Sequence, residues 1–180
     1  MIDFKKLLKE KARIQMDFGC GPNCQEGWIG IDRRKLPNVD IIQDLQDFPW
    51  KIPSNCCHLG LLSHVYEHIE PKHRLSLMNE FWRVMKLGGQ LMIASPYATS
   101  MGAFQDPTHY TCPNEASFTY FDPNCELYNV YKPKPWRLIR NEYQVNGSLN
   151  VILVKIDRIK DAKDNKDTCS CSKKNKDCKK

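Results

Sequence analysis

A pair of glycines between two short apolar runs most constrains the fold of this chain. The first run, from Ile14 to Phe18, ends in Gly19 and Gly21, and a second short run ends in Asp32. In an open α/β sheet, ligands bind outside the carboxyl ends of parallel strands, where glycines let the backbone approach a ligand closely. An acid at the end of the next strand can accept hydrogen bonds from a ribose diol. The pattern therefore predicts a nucleotide-like ligand at the ends of two neighbouring strands.

The spacing within this segment argues against a dinucleotide. A dinucleotide fingerprint needs a third glycine where Cys24 stands, a helix directly after the loop, and an acid about 20 residues further on. Here Pro22 interrupts the loop, and Asp32 follows Gly21 by only 11 residues. A full crossover helix barely fits, so a pyrophosphate would find no long helix N-terminus. The loop suits a ligand with a ribose and no phosphates; a tight turn with incidental glycines is the purely structural alternative.

Composition predicts one globular domain, residues 1–160, and a tail, residues 161–180. Of the 180 residues, 41% are apolar and 27% charged, which fits one soluble domain with a substantial core. No apolar run approaches the ~20 residues of a membrane span, so we expect no membrane association. The first residues resemble a short amphipathic helix rather than a signal peptide, which predicts a cytoplasmic protein.

The predicted tail is rich in lysine and cysteine. It carries seven lysines and four aspartates, half of the net charge of +6, and almost no apolar side chain. Such a segment cannot offset its ordering entropy by burial, so we expect disorder. A basic tail either keeps the protein in solution or adds salt-sensitive affinity for nucleic acid. Its three cysteines lack an evident fourth ligand, and we expect free thiols and no metal site in the chain.

The remaining pattern predicts the fold class. Short apolar runs at Val39–Ile42, Cys56–Leu62 and Leu91–Ala94 have strand length, and helical spacing runs from Pro71 to Gly88. A short helix is predicted over 115–120, and Asn146-Gly147 between two alternating runs predicts a hairpin. We therefore expect an α/β protein with a Rossmann-like, mostly parallel sheet, helices on both faces and a C-terminal antiparallel hairpin.

Five segments follow, in order, the motifs of class I S-adenosylmethionine (SAM) dependent methyltransferases, and the chain resembles that family from about residue 14 to 156. The segments are Asp17-Phe18-Gly19-Cys20-Gly21-Pro22, Gly30-Ile31-Asp32, Gln43-Asp44-Leu45, Ser63-His64-Val65-Tyr66-Glu67-His68-Ile69 and Lys86-Leu87-Gly88-Gly89-Gln90-Leu91. The variant Gly27–Asp32 and the segment Ala103–His109 further resemble a subgroup with a shortened first crossover, found in bacteria and their phages.

The resemblance implies that SAM is the cofactor and methyl donor, and it leaves the acceptor open. It also implies a role for particular residues along the cofactor. These residues are Asp17, Gly19, Cys20 and Gly21 at the methionine end, Asp32 at the ribose, Asp44 and Leu45 at the adenine, and Ser63 beside the sulfonium.

In methyl transfer to an N–H or O–H group, the protein aligns the reactants and a base removes the acceptor's proton. An imidazole titrates near neutrality, so His64 and His109 are the predicted catalytic residues. We expect residues 97–121 to cover the acceptor, with Asp106 holding the imidazole of His109 and aromatic side chains forming an apolar wall. The predicted acceptor-side residues are Asp106, Tyr97, Phe104 and Tyr110, and the wall would also include Phe118 and Tyr120.

The segment from His64 to His68 also spells H-x-x-E-H, the inverted zinc-protease motif. That motif needs both histidines one turn apart on a long helix. Here His64 ends an apolar run and Pro71 precedes the helical pattern, so the two histidines are expected to flank a strand-to-helix turn. A zinc hydrolase is therefore not predicted.

Two functions remain. The first is SAM-dependent methyl transfer to a hydroxyl or amine of a small molecule or glycan. The segment Ser63-His64-Val65-Tyr66 is not the Asn/Asp-Pro-Pro-Tyr motif of adenine-N6 enzymes, which argues against that chemistry. The second is a methyltransferase-fold protein that binds SAM or nucleic acid without turnover. The short first crossover and the basic tail favour this alternative.

Overall fold

The computed structural model describes residues 2–10 and 12–157. The predicted tail, 161–180, lies outside the described residues. None of the described helices is long and apolar enough to cross a membrane.

Seven strands form a single mixed sheet in the order β3-β2-β1-β4-β5-β7-β6. The first five strands run parallel, whereas β7 pairs antiparallel with both β5 and β6. This arrangement confirms the predicted α/β class, with its mostly parallel sheet and its C-terminal hairpin, whose turn holds Gly147 at φ +86°. The strands are β1 Gln15–Phe18, β2 Ile29–Asp32, β3 Ile41–Ile42, β4 Cys57–Ser63, β5 Met85–Pro96, β6 Trp136–Tyr143 and β7 Ser148–Lys155.

Helices are few among the described residues. The α-helices are α1 Phe4–Lys9, α2 Arg74–Val84, α3 Met101–Phe104 and α4 Tyr128–Tyr131, and the 3-10 helices are Tyr66–His68, Pro71–His73 and Thr119–Phe121. Residues 19–28, between β1 and β2, contain no helix, as the short spacing predicted.

Two predicted helix boundaries differ from the structure. The helix predicted to reach Gly88 ends at Val84, because Met85 adopts an extended backbone and pairs with Cys57 at the start of β4. The helix predicted over 115–120 is a series of turns that ends in the short 3-10 helix Thr119–Phe121.

The core lies on one face of the sheet. Phe18 of β1 meets Phe81 of α2 edge-on, with ring centroids 4.8 Å apart, and Trp50 lies 5.5 Å from Phe18. All three side chains are buried. Residues that point to the opposite face and align across the sheet, such as Leu61 and Met92, are only half-buried. Burial is therefore concentrated where α2 covers the sheet.

A buried carboxylate connects α2 to the loop after β3. Glu80 Oε1 accepts a hydrogen bond from the backbone N–H of Trp50 at 2.7 Å, and Arg83 donates to both carboxylate oxygens. The Trp50 indole in turn donates to the carbonyl oxygen of Leu45 at 3.2 Å. These contacts set the position of residues 44–50 relative to the sheet.

We expect Glu80→Ala to lower the free energy of unfolding by about 2–4 kcal/mol, because the substitution leaves the Trp50 N–H and the Arg83 guanidinium without their acceptor. Urea denaturation followed by tryptophan fluorescence measures the loss. Glu126→Ala, at an exposed position, is the matched control and should change stability by less than about 0.5 kcal/mol. Equal stabilities of the two variants would show that the Glu80 network does not hold this loop.

Candidate functional site

A cavity of about 730 Å³ opens at the carboxyl edge of the parallel strands. Its wall includes Gly19 just after β1, Asp32 at the end of β2 and His64 just after β4. Pockets of this size bury most of a drug-sized ligand. The cavity therefore lies where the glycine pattern predicted a ligand.

Gly19 is required by the geometry of the cavity floor. Its φ is +73°, and a Cβ built at this position would lie 2.5 Å from Cγ2 of Val65. The backbone N–H groups of Gly19 and Cys20 both donate to the carbonyl oxygen of Ile31, at 2.7 and 3.1 Å. The loop after β1 thus turns tightly onto β2, and a side chain at Gly19 would collide with the segment after β4.

Asp32 is buried, and both of its carboxylate oxygens accept hydrogen bonds. Oδ2 accepts a hydrogen bond from the Gly21 N–H at 2.9 Å, and Oδ1 accepts from the N–H and Nε of Arg34 at 2.9 and 3.1 Å. Burial by itself would raise the pKa of Asp32, but the hydrogen bonds from Arg34 and Gly21 outweigh it and hold the pKa below its ordinary value. The carboxylate therefore joins the loop after β1 to the loop after β2 and contributes to stability without any ligand.

We expect Asp32→Ala to lower the free energy of unfolding of the ligand-free protein by about 1–3 kcal/mol at pH 7, because buried backbone donors lose their acceptor. The lowered pKa means that this stabilisation is present above about pH 4 and is lost as the pH falls below that value. The stability difference between wild type and variant should therefore shrink between pH 7 and pH 3.

Thermal unfolding across this pH range tests the Asp32 prediction. Asp47→Ala, which removes an exposed carboxylate, is the control. A difference between wild type and Asp32→Ala that persists undiminished at pH 3 would contradict the ionic role of Asp32.

The other residues predicted along the cofactor are placed in two groups. Asp44 and Leu45 line the cavity with Asp32 and Gly19, whereas Cys20, Gly21, Asp17 and Ser63 do not line it. Asp17 accepts a hydrogen bond from the Gln25 N–H at 3.1 Å, and burial raises its pKa. Asp17 and Gly21 thus hold the loop after β1 in place through hydrogen bonds, outside the lining of the cavity. Their assignment to the methionine end of a cofactor stays a prediction.

Both predicted catalytic histidines border the cavity. His64 adopts a left-handed backbone, with φ +53°, and its N–H donates to the carbonyl oxygen of Ala94 at 2.8 Å. Its Nδ1 lies 3.5 Å from Oε1 of Glu67, whose carboxylate raises the pKa of His64. His109 approaches from the segment after β5, with Nδ1 3.2 Å from the carbonyl oxygen of Ala103.

A second cavity of about 500 Å³ adjoins the first and shares His64, His68 and His109 with it. Its remaining wall is largely polar, with side chains able to donate to and accept from hydroxyl groups. The polar residues on this wall are Ser100, Gln105, Asp106, Asn146 and Ser148.

The predicted acceptor-side residues do not line one common cavity. Tyr110 lines the first cavity and Asp106 the second, but Tyr97 and Phe104 line neither. Tyr97 donates its hydroxyl proton to Glu115, and Phe104 is 79% exposed. Phe118 is buried in the core, so the expected apolar wall does not form.

The predicted contact between Asp106 and the imidazole of His109 is also absent among the described residues. Asp106 Oδ1 instead accepts hydrogen bonds from the N–H and hydroxyl of Thr108, at 2.8 and 2.7 Å. The short Asp-Pro-Thr turn thus holds the carboxylate on its own loop, where Thr108 is its hydrogen-bond donor.

Two residues of the site, Glu67 and His68, were not among the predicted site residues. Both lie in the 3-10 helix Tyr66–His68, directly after the carboxyl end of β4. Glu67 is completely buried, and its Oε2 accepts a hydrogen bond from the Ser95 hydroxyl at 3.1 Å. The H-x-x-E-H pattern of residues 64–68 is the sequence signal that marks both residues.

Solved structures share this fold. A SAM-dependent methyltransferase from Archaeoglobus fulgidus aligns with a TM-score of 0.60 at 17% identity, covering 84% of this chain and 92% of that one. A SAM-dependent methyltransferase from Aquifex aeolicus gives a TM-score of 0.54 at 18% identity, covering 86% and 90%. The 1,6-didemethyltoxoflavin-N1-methyltransferase of Burkholderia thailandensis, solved with its substrate and S-adenosylhomocysteine, gives 0.56 at 11%, covering 86% and 76%.

At these identities the similarity establishes the fold. At the level of sequence, no family model and no curated protein matches the chain.

Proposed function

We propose that this protein is a SAM-dependent methyltransferase that transfers a methyl group to a hydroxyl or amine of a small molecule or glycan. The observation that carries the proposal is the cavity at the carboxyl edge of β1, β2 and β4, with Gly19 at its floor and the buried Asp32 carboxylate in its wall. The shared fold of SAM-dependent methyltransferases supports it. We also propose that the chain belongs to the subgroup with a shortened first crossover, since residues 19–28 between β1 and β2 contain no helix.

The residues present fit SAM. Gly19 brings the backbone of the loop after β1 to the cavity wall, and its missing side chain lets Val65 pack against it. In the proposed complex, ribose hydroxyls would take the place of the exposed Arg34 side chain on the ionised carboxylate of Asp32, and charge-assisted hydrogen bonds of this type are the strong ones. Asp44 and Leu45 offer a carboxylate and an apolar surface for the adenine further along the same wall. When bound, SAM would supply a sulfonium methyl group: the acceptor oxygen or nitrogen would bond to the methyl carbon as the bond from that carbon to sulfur breaks, with S-adenosylhomocysteine as the leaving group.

The second cavity is the proposed acceptor site. It meets the first at His64 and His109, so an acceptor there would face the donor end of the first cavity. Its polar wall favours an acceptor with several hydroxyl groups, such as a sugar, over an apolar one. An imidazole at this junction can take the acceptor's proton as the new bond forms.

Cofactor binding is tested by isothermal titration calorimetry with SAM and S-adenosylhomocysteine. We expect both to bind, and Asp32→Ala to weaken binding by about 1.5–3 kcal/mol because bonds to two ribose hydroxyls are lost. Asp47→Ala is again the control and should bind as wild type does. Titrations run well below the unfolding temperature separate the binding loss from the stability loss. Unchanged affinity in Asp32→Ala would remove the ribose assignment.

Transfer itself is tested once an acceptor has been found by mass spectrometry of extracts incubated with isotopically labelled SAM. We expect His109→Ala to slow single-turnover transfer by on the order of 10²–10⁴ while SAM affinity stays within about twofold, because His109 lies at the junction with the proposed acceptor site and is not among the residues proposed to hold the cofactor. His73→Ala, a histidine outside both cavities, serves as control. Wild-type rates in His109→Ala would leave His64 as the remaining base. Binding of SAM without any labelled product would favour a binding protein without turnover.

A further inference from the structure

We propose that Glu67, His68 and His109 bind a divalent transition-metal cation at the junction of the two cavities. One ligand atom from each side chain, a carboxylate oxygen or an imidazole nitrogen, lies within 4.8 Å of the other two. The three residues come from two segments, 41 positions apart in the sequence between His68 and His109, so only the fold brings them together.

Glu67 supplies the first argument. The residue is 0% exposed and borders the second cavity. Ser95 donates a hydrogen bond to Oε2, whereas Oε1 has no hydrogen-bond partner among the described residues. Burying a carboxylate with a bare oxygen is costly unless a positive group compensates it. The nearest candidate is His64, whose Nδ1 lies 3.5 Å from Oε1, and a cation between Glu67 and the other two imidazoles compensates the charge more completely.

The second argument comes from the two imidazoles. The Thr108 hydroxyl donates to Asp106, so its oxygen accepts from Nδ1–H of His68 at 2.9 Å. Nδ1 of His109 lies 3.2 Å from the carbonyl oxygen of Ala103, which can only accept, so this nitrogen also carries a proton. With the Nδ1 protons placed in this way, each neutral ring would keep its Nε2 lone pair free. Metal-binding histidines show this same pattern, with one nitrogen held by an oxygen acceptor and the other available to the metal.

The two segments that carry the ligands are joined directly. The Tyr110 N–H donates to the carbonyl oxygen of Glu67 at 3.0 Å. Arg74 donates from Nη2 to the carbonyl oxygens of Thr111, at 2.8 Å, and Tyr66, at 3.4 Å. The rings of His68 and His109 meet edge-on, with centroids 4.7 Å apart. The site is thus assembled before any cation binds.

The ligand set selects a class of cation. Two imidazole nitrogens and one carboxylate oxygen suit Zn²⁺, Fe²⁺, Co²⁺, Ni²⁺ or Mn²⁺, whereas Ca²⁺ and Mg²⁺ prefer all-oxygen sites. Metal–ligand bonds of about 2.0–2.2 Å place neighbouring ligand atoms about 3–3.5 Å apart. Side-chain rotations that move these atoms by about 1 Å are therefore enough. Three protein ligands leave coordination positions open, which is the arrangement of catalytic rather than structural sites.

The use of the open positions rests on the proposed function. All three proposed ligands border the cavity proposed for the acceptor, where a cation would bind an acceptor oxygen and make its proton easier to remove. His109 would then act through the cation, and His64 would take the proton. This inference revises the expectation of no metal site, and it uses His68 with His109 rather than the His64–His68 pair of the protease motif.

The test titrates metal-free, full-length protein with Co²⁺ and follows the visible absorption spectrum. We expect one equivalent to bind with weak ligand-field bands and without the intense near-ultraviolet band of thiolate coordination, which cysteine binding would produce. His68→Ala, His109→Ala and Glu67→Gln should each weaken Co²⁺ binding by more than about tenfold. Thr108→Val should weaken it by about tenfold, because it removes only the group that orients His68.

His73→Ala is the matched control and should bind Co²⁺ as wild type does. Glu67→Gln and Thr108→Val keep the size and shape of the native side chain. These two variants therefore still test the metal site if an alanine variant fails to fold. Absence of binding, a thiolate-type spectrum alone, or affinity unchanged in the cluster variants would overturn the inference. S-adenosylhomocysteine binding is measured on the same samples. Protein that binds S-adenosylhomocysteine but no Co²⁺ overturns only the metal site, and protein that binds Co²⁺ but not S-adenosylhomocysteine overturns only the proposed function.

Discussion

The closure of the loop after β1 onto the end of β2 is the contact on which the site depends. Where a long helix would otherwise follow β1, two N–H groups donate to the carbonyl oxygen of Ile31, and the Gly21 N–H donates to Asp32. The left-handed backbone at Gly19 makes this turn possible. The backbone groups that a helix would have satisfied are satisfied by β2 instead. A short connection can therefore still form the floor of a large cavity.

The small number of described helices explains why burial is concentrated on one face of the sheet. Only one helix, α2, connects parallel strands among the described residues, and the aromatic cluster of Phe18, Trp50 and Phe81 lies beneath it. The buried Glu80 carboxylate then anchors the loop after β3 to this helix. Because that loop carries Asp44 and Leu45, the helix that completes the core also positions the far wall of the cavity.

The buried Glu67 connects three segments at the sheet edge. Its Oε2 accepts from Ser95 of β5, its carbonyl oxygen accepts from the Tyr110 N–H, and its Oε1 lies 3.5 Å from Nδ1 of His64. One short 3-10 helix after β4 thus connects the sheet edge to the segment after β5. Glu67 also borders the cavity proposed for the acceptor.

Local sequence patterns were sufficient to predict the sheet, the glycine loop and the hairpin at Asn146-Gly147, because alternation and positive-φ turns depend on a few neighbouring residues. They also pointed to Asp32, which follows its strand directly. They did not predict the end of α2, since Met85 leaves the helix to pair with Cys57 in a distant strand. Nor did they predict the grouping of Glu67, His68 and His109. That grouping depends on how the segment after β5 folds back over the sheet edge, where the hydrogen bond from the Tyr110 N–H to Glu67 fixes it, and only the tertiary structure decides such a contact.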